Sequence, residues 1–221
     1  MIKLVIFDLD GTLVDAYKAV FESLNYSLSS LGYPVATSSD IKRSVGWGVR
    51  SLMNSFVKEE DIDKIIGIYR HSHKRSLKTG AKFMPGAKDL LKKLENAGYT
   101  MAIATNRPAW STEVILKHLN MSKYFKYVLS GEKVKNLKPA PEILERVLEE
   151  FNLSADEAIY VGDMTIDVET ANAVKMRAIS VVTGSSTEDE IKALNPHKII
   201  YNVLDVFSIL EDLNEVQVNS I

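Results

Sequence analysis

A short apolar run, Lys3-Leu-Val-Ile-Phe7, ends in two carboxylates and a glycine, and the next run of its kind begins only at Thr100. A run this short and this rich in β-branched residues reads as a strand buried on both faces, as in parallel sheets. Thr100–Ala104, Tyr127–Leu129, Ala158–Val161 and Ala178–Val182 repeat the pattern, and Lys198–Tyr201 repeats it more weakly. Helical patterns lie between them. Pro85-Gly86 followed by Leu90, Leu91, Leu94 and Gly98 gives a proline start and a glycine stop. Pro139–Phe151 carries Ile143, Leu144, Val147 and Leu148 on one face, and Ile166–Val174 and Thr187–Leu194 predict further helices. Alternation of strand and helix from residue 83 onward predicts an α/β fold with a doubly wound parallel sheet.

Residues 15–82 break that alternation. Tyr17, Val20, Phe21, Leu24, Leu28 and Leu31 recur at helical spacing, and Ser39–Val45, Val49–Val57 and Glu60–Leu77 follow, with Gly46-Trp47-Gly48 between two of them. A stretch of about 65 helical residues is far longer than an ordinary crossover. It predicts an inserted all-helical subdomain, hinged near 13–16 and 80–84, on a core of residues 1–14 and 83–214, with 215–221 as a loose C-terminal tail.

Composition excludes several classes of function. The chain has 221 residues, and its 27 Lys and Arg against 29 Asp and Glu give a formal net charge of −2, with no broad positive field for nucleic acid. Cysteine is absent, which removes disulfides, thiolate catalysis and zinc–thiolate or iron–sulfur sites. No apolar run approaches the roughly 18 residues of a membrane helix. Asp8 and Asp10 interrupt the first apolar stretch too early for a signal peptide. A cytoplasmic protein with a small-molecule partner is the expectation, with neither membrane nor nucleic acid as partner; the sequence specifies no oligomeric state.

The chemistry concentrates in Asp8-Leu-Asp10-Gly11-Thr12-Leu13. The period of two along a strand end puts Asp8 and Asp10 on one side, and Gly11 lets the backbone turn where a ligand approaches. Two carboxylates so close need a proton or a cation between them. Thr105-Asn106 ends the second run, Gly162-Asp163 ends the fourth, with Asp167 four residues on, and Lys138 opens the helical pattern before that fourth run. Open α/β sheets bind ligands beyond the carboxyl ends of their strands, so these residues should converge. Thr105, the Asn106 backbone N–H and Lys138 can donate to phosphoryl oxygens, and Asp8 and Asp163 can ligate Mg²⁺. A carboxylate can be the nucleophile, and a second acid beside it can protonate the leaving alkoxide and then activate water.

Asp8-x-Asp10-Gly-Thr-Leu, Thr105-Asn106, Lys138-Pro-x-Pro and Gly162-Asp163-x₃-Asp167 together resemble the motifs of the haloacid dehalogenase-like superfamily in order and spacing. The resemblance runs from Lys3 to about Leu210. It implies a Rossmann-like core with a helical cap inserted after the first motif, Asp8 as nucleophile and Asp10 as general acid/base. It further implies Mg²⁺ held by Asp8, the Asp10 backbone carbonyl and Asp163, with Asp167 supporting the metal or its waters, and a phosphoryl group bound by Thr105, Asn106 and Lys138. Dehalogenases of the superfamily generally lack the acid two residues after the nucleophile, so Asp10 favours phosphotransfer.

Val45-Gly46-Trp47-Gly48-x₃-Leu52-Met53 and Lys138-Pro139-x-Pro141-x₂-Leu144 are similar to the phosphoglycolate phosphatase-like group. That group implies a Mg²⁺-dependent phosphatase of a small phosphorylated metabolite, phosphoglycolate first, ahead of sugar phosphates, nucleotides and pyrophosphate. Two departures stand out: Val174 where the group usually has glycine, and Arg107-Pro108-Ala109-Trp110, read as a difference on the substrate side. Gly46, Trp47 and Arg50 are candidates for choosing the substrate. A β-phosphoglucomutase-like mutase shares core and cap and is the nearest rival. A phosphoaspartate receiver module also clusters acids, Thr and Lys, but it has no role for a helical insert. His71 and His73, two apart on a predicted helix, point in different directions and predict no shared metal. The basic residues from Arg70 to Lys82 read as a solvated face.

Overall fold

The computed structural model describes residues 1–218. The chain runs β1 (Leu4–Phe7), β2 (Val14–Asp15), α1 (Tyr17–Ser30), α2 (Ser38–Ser44), α3 (Val49–Asn54), α4 (Ile62–Gly80) and β3 (Lys82–Phe83). Helix and strand then alternate: α5 (Ala87–Asn96), β4 (Thr100–Thr105), α6 (Ala109–His118), β5 (Tyr127–Ser130), α7 (Glu142–Phe151) and β6 (Ala158–Gly162). The chain closes with α8 (Thr165–Ala173), β7 (Arg177–Val181), α9 (Glu188–Lys192), β8 (Lys198–Ile200) and α10 (Val206–Val218).

Six strands form one sheet in the order β5-β4-β1-β6-β7-β8, and every neighbouring pair is parallel. Side chains alternate across it, as the two-residue period demands. Val5 and Phe7 join the apolar layer that holds Leu90, Leu94, Ile115 and Leu210, and Leu4 and Ile6 join the layer that holds Ile143, Leu144, Val168 and Ile191. Each fully buried aliphatic or aromatic side chain in these layers contributes about 1.5–3 kcal/mol. The chain leaves β1 toward β4 on one side and β6 on the other, so a crevice opens at the carboxyl end of β1.

The helices α1–α4 lie between β2 and β3, a two-residue antiparallel ribbon that pairs Val14 with Phe83 and Asp15 with Lys82. They have an apolar core of their own. Val20, Leu24 and Leu28 of α1 face Ile62, Ile65 and Tyr69 of α4, closed by Ile41, Leu52 and Met53. No helix among the described residues is long and apolar enough to cross a membrane.

The structure departs from the sequence reading at several points. Helix α6 has no counterpart in it, because its apolar residues bunch at Val114-Ile-Leu116 instead of recurring at helical spacing. Lys138 precedes its helix, which begins at Glu142 behind Pro141. Residues 215–218 are not tail but the last turn of α10, whose Asn214 is tied at both ends: its Oδ1 accepts the Ile2 N–H at 2.7 Å and its Nδ2 donates to the Tyr99 hydroxyl at 2.9 Å. The remaining positions of the expected tail, 219–221, lie outside the described residues.

Candidate active site

The first motif turns sharply after β1. The Gly11 N–H donates to the Val14 carbonyl, and those of Leu13 and Val14 donate to the Leu9 carbonyl. Gly11 has φ +79°, and a Cβ there would collide with the Asp163 carboxylate, so the position requires glycine twice over. The structure brings Asp8, Thr105, Lys138, Asp163 and Asp167 into one buried cluster, with Asp10 and Asn106 at its side.

Lys138 is the hub. Its Nζ donates to Asp8 Oδ1 at 2.8 Å, to Asp167 Oδ1 at 2.7 Å and to the Tyr160 hydroxyl at 2.8 Å. Burial opposes the charge on this ammonium, but Asp167 and Asp8 beside it outweigh burial and hold its pKa well above the ordinary lysine value. Tyr160, absent from the sequence reading, passes its own proton to the Ala104 carbonyl at 2.8 Å, which leaves its oxygen to accept from Lys138. Its only sequence signal was a tyrosine inside an otherwise apolar strand.

Asp167 accepts at both oxygens: Oδ1 from Lys138, Oδ2 from the backbone N–H groups of Asp163 and Met164. It therefore anchors the loop after β6. Asp163 differs. Its Oδ1 accepts from the Thr12 hydroxyl at 2.8 Å, while Oδ2 is the one buried side-chain oxygen without a partner among the described residues. Burial, together with Asp167 and Asp8, raises the Asp163 pKa well above the usual carboxylate range. Burial also pushes Asp8 up to about 6, opposed by Lys138 and reinforced by Asp167 and Asp10. Asp8, Asp163 and Asp167 each offer an oxygen within 4.8 Å of the others. An orphaned carboxylate oxygen, flanked by Gly11 and Gly184 where a Cβ would collide with it, fits a small hard cation such as Mg²⁺.

Asn106 does its work through its side chain. Its Oδ1 accepts the Lys138 N–H at 2.9 Å, and its Nδ2 donates to the carbonyls of Gly46 at 3.0 Å and Lys138 at 3.2 Å. It thus holds the Lys138 loop and the Val45–Gly48 loop of the insert together. Thr105 Oγ1 accepts the Arg107 N–H at 3.2 Å and keeps its hydroxyl proton to donate.

A cavity opens from Asp8 and Asp10 into the junction between core and insert, walled by Val20, Val45, Leu52 and Trp110. Gly46 lines it. The other two substrate candidates do not, because Trp47 is 41% exposed and the Arg50 guanidinium turns outward to Glu59 at 2.6 Å and Asp63 at 2.8 Å. The residues that do reach the cavity are Arg107 and His73. Arg107 forms a two-pronged ion pair with Asp10, at 2.6 and 2.8 Å. Burial opposes its charge, and Asp10 more than compensates, so its pKa lies above the ordinary arginine value. His73 is buried, and burial together with Arg107 lowers its pKa to about 2, so it is neutral. The basic face beside it is partly stacked: Arg70 and Lys74 lie 5.5 and 5.9 Å from the Trp110 ring centre.

This architecture has close counterparts. A protein described as a predicted phosphoglycolate phosphatase from Haemophilus somnus superposes with a TM-score of 0.90, at 23% identity, over 95% of this chain and 98% of its own. A predicted phosphatase from Clostridium acetobutylicum superposes with a TM-score of 0.84, at 27% identity, over 96% of this chain and 99% of its own. Among curated relatives, phosphoglycolate phosphatase 1 of Pseudomonas aeruginosa is 27% identical over 97% of this chain and 82% of its own. The phosphoglycolate phosphatase of Vibrio parahaemolyticus is 27% identical over 95% of this chain and 96% of its own. The expected α/β fold and enzyme class, a phosphoric monoester hydrolase, agree with these findings. The family model for haloacid dehalogenase-like hydrolases matches residues 5–181. The chain belongs to the haloacid dehalogenase-like hydrolase family.

Proposed function

We propose that this protein is a Mg²⁺-dependent phosphatase of a small phosphorylated metabolite, phosphoglycolate first, acting through an aspartyl-phosphate on Asp8. The observation that carries the reading is the unpartnered Asp163 Oδ2 in a cluster whose neighbour, Asp8, is held at one oxygen by Lys138. The choice of phosphoglycolate is supported by the names of the relatives and by the Val45–Met53 and Lys138–Leu144 motifs.

Asp8, Asp163 and the Asp10 backbone carbonyl would hold the ion, with Asp167 bracing the loop. When bound, Mg²⁺ neutralises the crowded carboxylates and the phosphoryl oxygens. Lys138 fixes Asp8 Oδ1, so the other oxygen is the one presented to phosphorus. The Thr105 hydroxyl donates to a phosphoryl oxygen, and the Lys138 ammonium, its three protons held by Asp8, Asp167 and Tyr160, offsets the phosphoryl charge. The Asp8 oxygen forms a bond to phosphorus as the ester P–O bond breaks; Asp10, which must first take up a proton and release one oxygen from Arg107, gives that proton to the departing alkoxide. Asp10 then accepts a proton from water as that water's oxygen bonds to phosphorus, which releases phosphate and restores Asp8. The helices of residues 15–82 act as the cap over this step, with the β2–β3 ribbon at their base, and exclude bulk water from the acylphosphate.

Phosphate release from a panel of small phosphoesters, with Mg²⁺ and with excess chelator, tests the reading. The expected result is turnover centred on phosphoglycolate that chelator stops and Asp8→Asn abolishes. Turnover indifferent to chelator, or retained by Asp8→Asn, contradicts it.

A further inference from the structure

The core motifs account for Asp8, Lys138, Asp163 and Asp167 but leave Arg107 without a task. Its guanidinium is buried, and three of its five N–H groups are spoken for: Nε and Nη2 by Asp10, Nη1 by His73 Nε2 at 3.1 Å. Counting protons fixes the direction of this chain. The Ser23 hydroxyl spends its single proton on the Ala19 carbonyl at 2.6 Å, so it must accept from His73 Nδ1 at 2.8 Å. His73 therefore carries its proton on Nδ1 and offers a bare Nε2 to Arg107. Tyr69 stacks on the imidazole at 4.6 Å and Trp110 meets it edge-on at 6.0 Å. The guanidinium is thus clamped between the core, through Asp10, and the insert, through His73.

The second N–H on each of Nη1 and Nη2 has no protein acceptor among the described residues, and the guanidinium lines the cavity that Asp8 and Asp10 also line. Buried donors left empty are costly, and two N–H groups of one guanidinium suit a planar pair of oxygens. On the insert side the cavity is walled by the apolar side chains of Val20, Val45, Val49 and Leu52, which offer these N–H groups no acceptor.

We propose that Arg107 is the specificity-determining residue of this site, taking the carboxylate of a small phosphorylated hydroxy acid on its two open N–H groups. His73 is the positioning residue that holds the guanidinium in place from the insert. The inference rests on the phosphatase reading above and narrows its substrates to esters whose leaving group bears a carboxylate.

The test compares kcat/KM for phosphoglycolate and for 2-hydroxyethyl phosphate, an ester of similar size without the carboxylate, with p-nitrophenyl phosphate as a general phosphatase substrate. The wild-type preference for phosphoglycolate over 2-hydroxyethyl phosphate is expected to be at least about 100-fold, since a site built to hydrogen-bond a group rejects its absence strongly. Arg107→Met should bring that ratio to within a few-fold of one. Arg107→Lys, which keeps the charge and loses the fork, should retain about a tenth of the ratio and gives the answer if the methionine variant does not fold. His73→Phe should raise KM for phosphoglycolate more than it lowers kcat, and His73→Gln, which restores an acceptor, should recover much of that loss. A wild-type ratio near one, or a ratio that survives both Arg107 substitutions, overturns the role of Arg107 while the phosphatase reading stands. Absence of turnover on all three esters with Mg²⁺ overturns that reading and this inference with it.

Discussion

Two buried cations stand on either side of the Asp8–Asp10 pair, and they are held in different ways. Lys138 takes all three of its partners, Asp8, Asp167 and Tyr160, from the core. Arg107 takes Asp10 from the core and His73 from α4 of the insert. The first arrangement is complete whatever the insert does. The second exists only while the insert stands on the core. On the proposed function, the difference separates what is needed to move a phosphoryl group from what is needed to choose its leaving group.

Removing each cation should break that comparison most forcefully. Lys138→Met leaves Asp8 and Asp167 buried without their counter-charge, so the metal-free protein should lose about 3–5 kcal/mol in denaturant unfolding and its turnover of every ester. Arg107→Met should keep measurable turnover of p-nitrophenyl phosphate, whose leaving group departs without a proton from Asp10. Equal loss in both variants on that ester would erase the distinction between the two clusters.

A smaller effect follows from His73. Its folded pKa of about 2 lies below the ordinary value near 6.5, so below pH ~6.5 the unfolded chain binds a proton that the folded chain refuses. Its share of stability is whole above that pH and drains away as pH falls, by about 1.4 kcal/mol per unit. Asp8, raised to about 6, acts in the opposite sense in the metal-free protein, gaining stability as pH falls below its folded value. His73→Gln keeps the Asp8 contribution and removes the histidine, so wild type should lose about 2 kcal/mol more than the variant between pH 7 and pH 5. Parallel pH profiles would place His73 outside the buried chain.

The smallest effects belong to the residues that sequence alone put forward. Arg50→Ala breaks two exposed ion pairs and should change stability by no more than about 0.5 kcal/mol and selectivity by less than about twofold. A larger change in the phosphoglycolate preference would return Arg50 to the substrate side.

Most of the sheet and the whole carboxylate cluster were legible in the sequence because each rests on local order: apolar runs mark β1, β4, β6 and β7, and acids at fixed spacing mark the carboxyl ends of β1 and β6. What escaped depends on partners far apart in the chain. Arg107 lies 97 residues from Asp10 and 34 from His73, and nothing in the spacing announces either contact. His73 sits in a basic stretch of α4 and was read only as sharing no metal with His71, yet it lies on the same face as Tyr69 and Leu77, both buried, and that i, i+4 relation was the available signal. Trp47 and Arg50 were drawn in by neighbouring glycines, and it is the Gly46 carbonyl, not their side chains, that Asn106 engages. The β2–β3 ribbon, two residues on each strand, is too short to leave a periodic pattern.

The central claim is that Asp8 carries the phosphoryl group. Acid-quenched enzyme, mixed with phosphoglycolate and Mg²⁺ for less than one turnover, should yield a peptide phosphorylated at Asp8 by mass spectrometry, and Asp8→Asn should yield none. Phosphate release without any phosphorylated Asp8 peptide, or the same release by Asp8→Asn, would contradict the account.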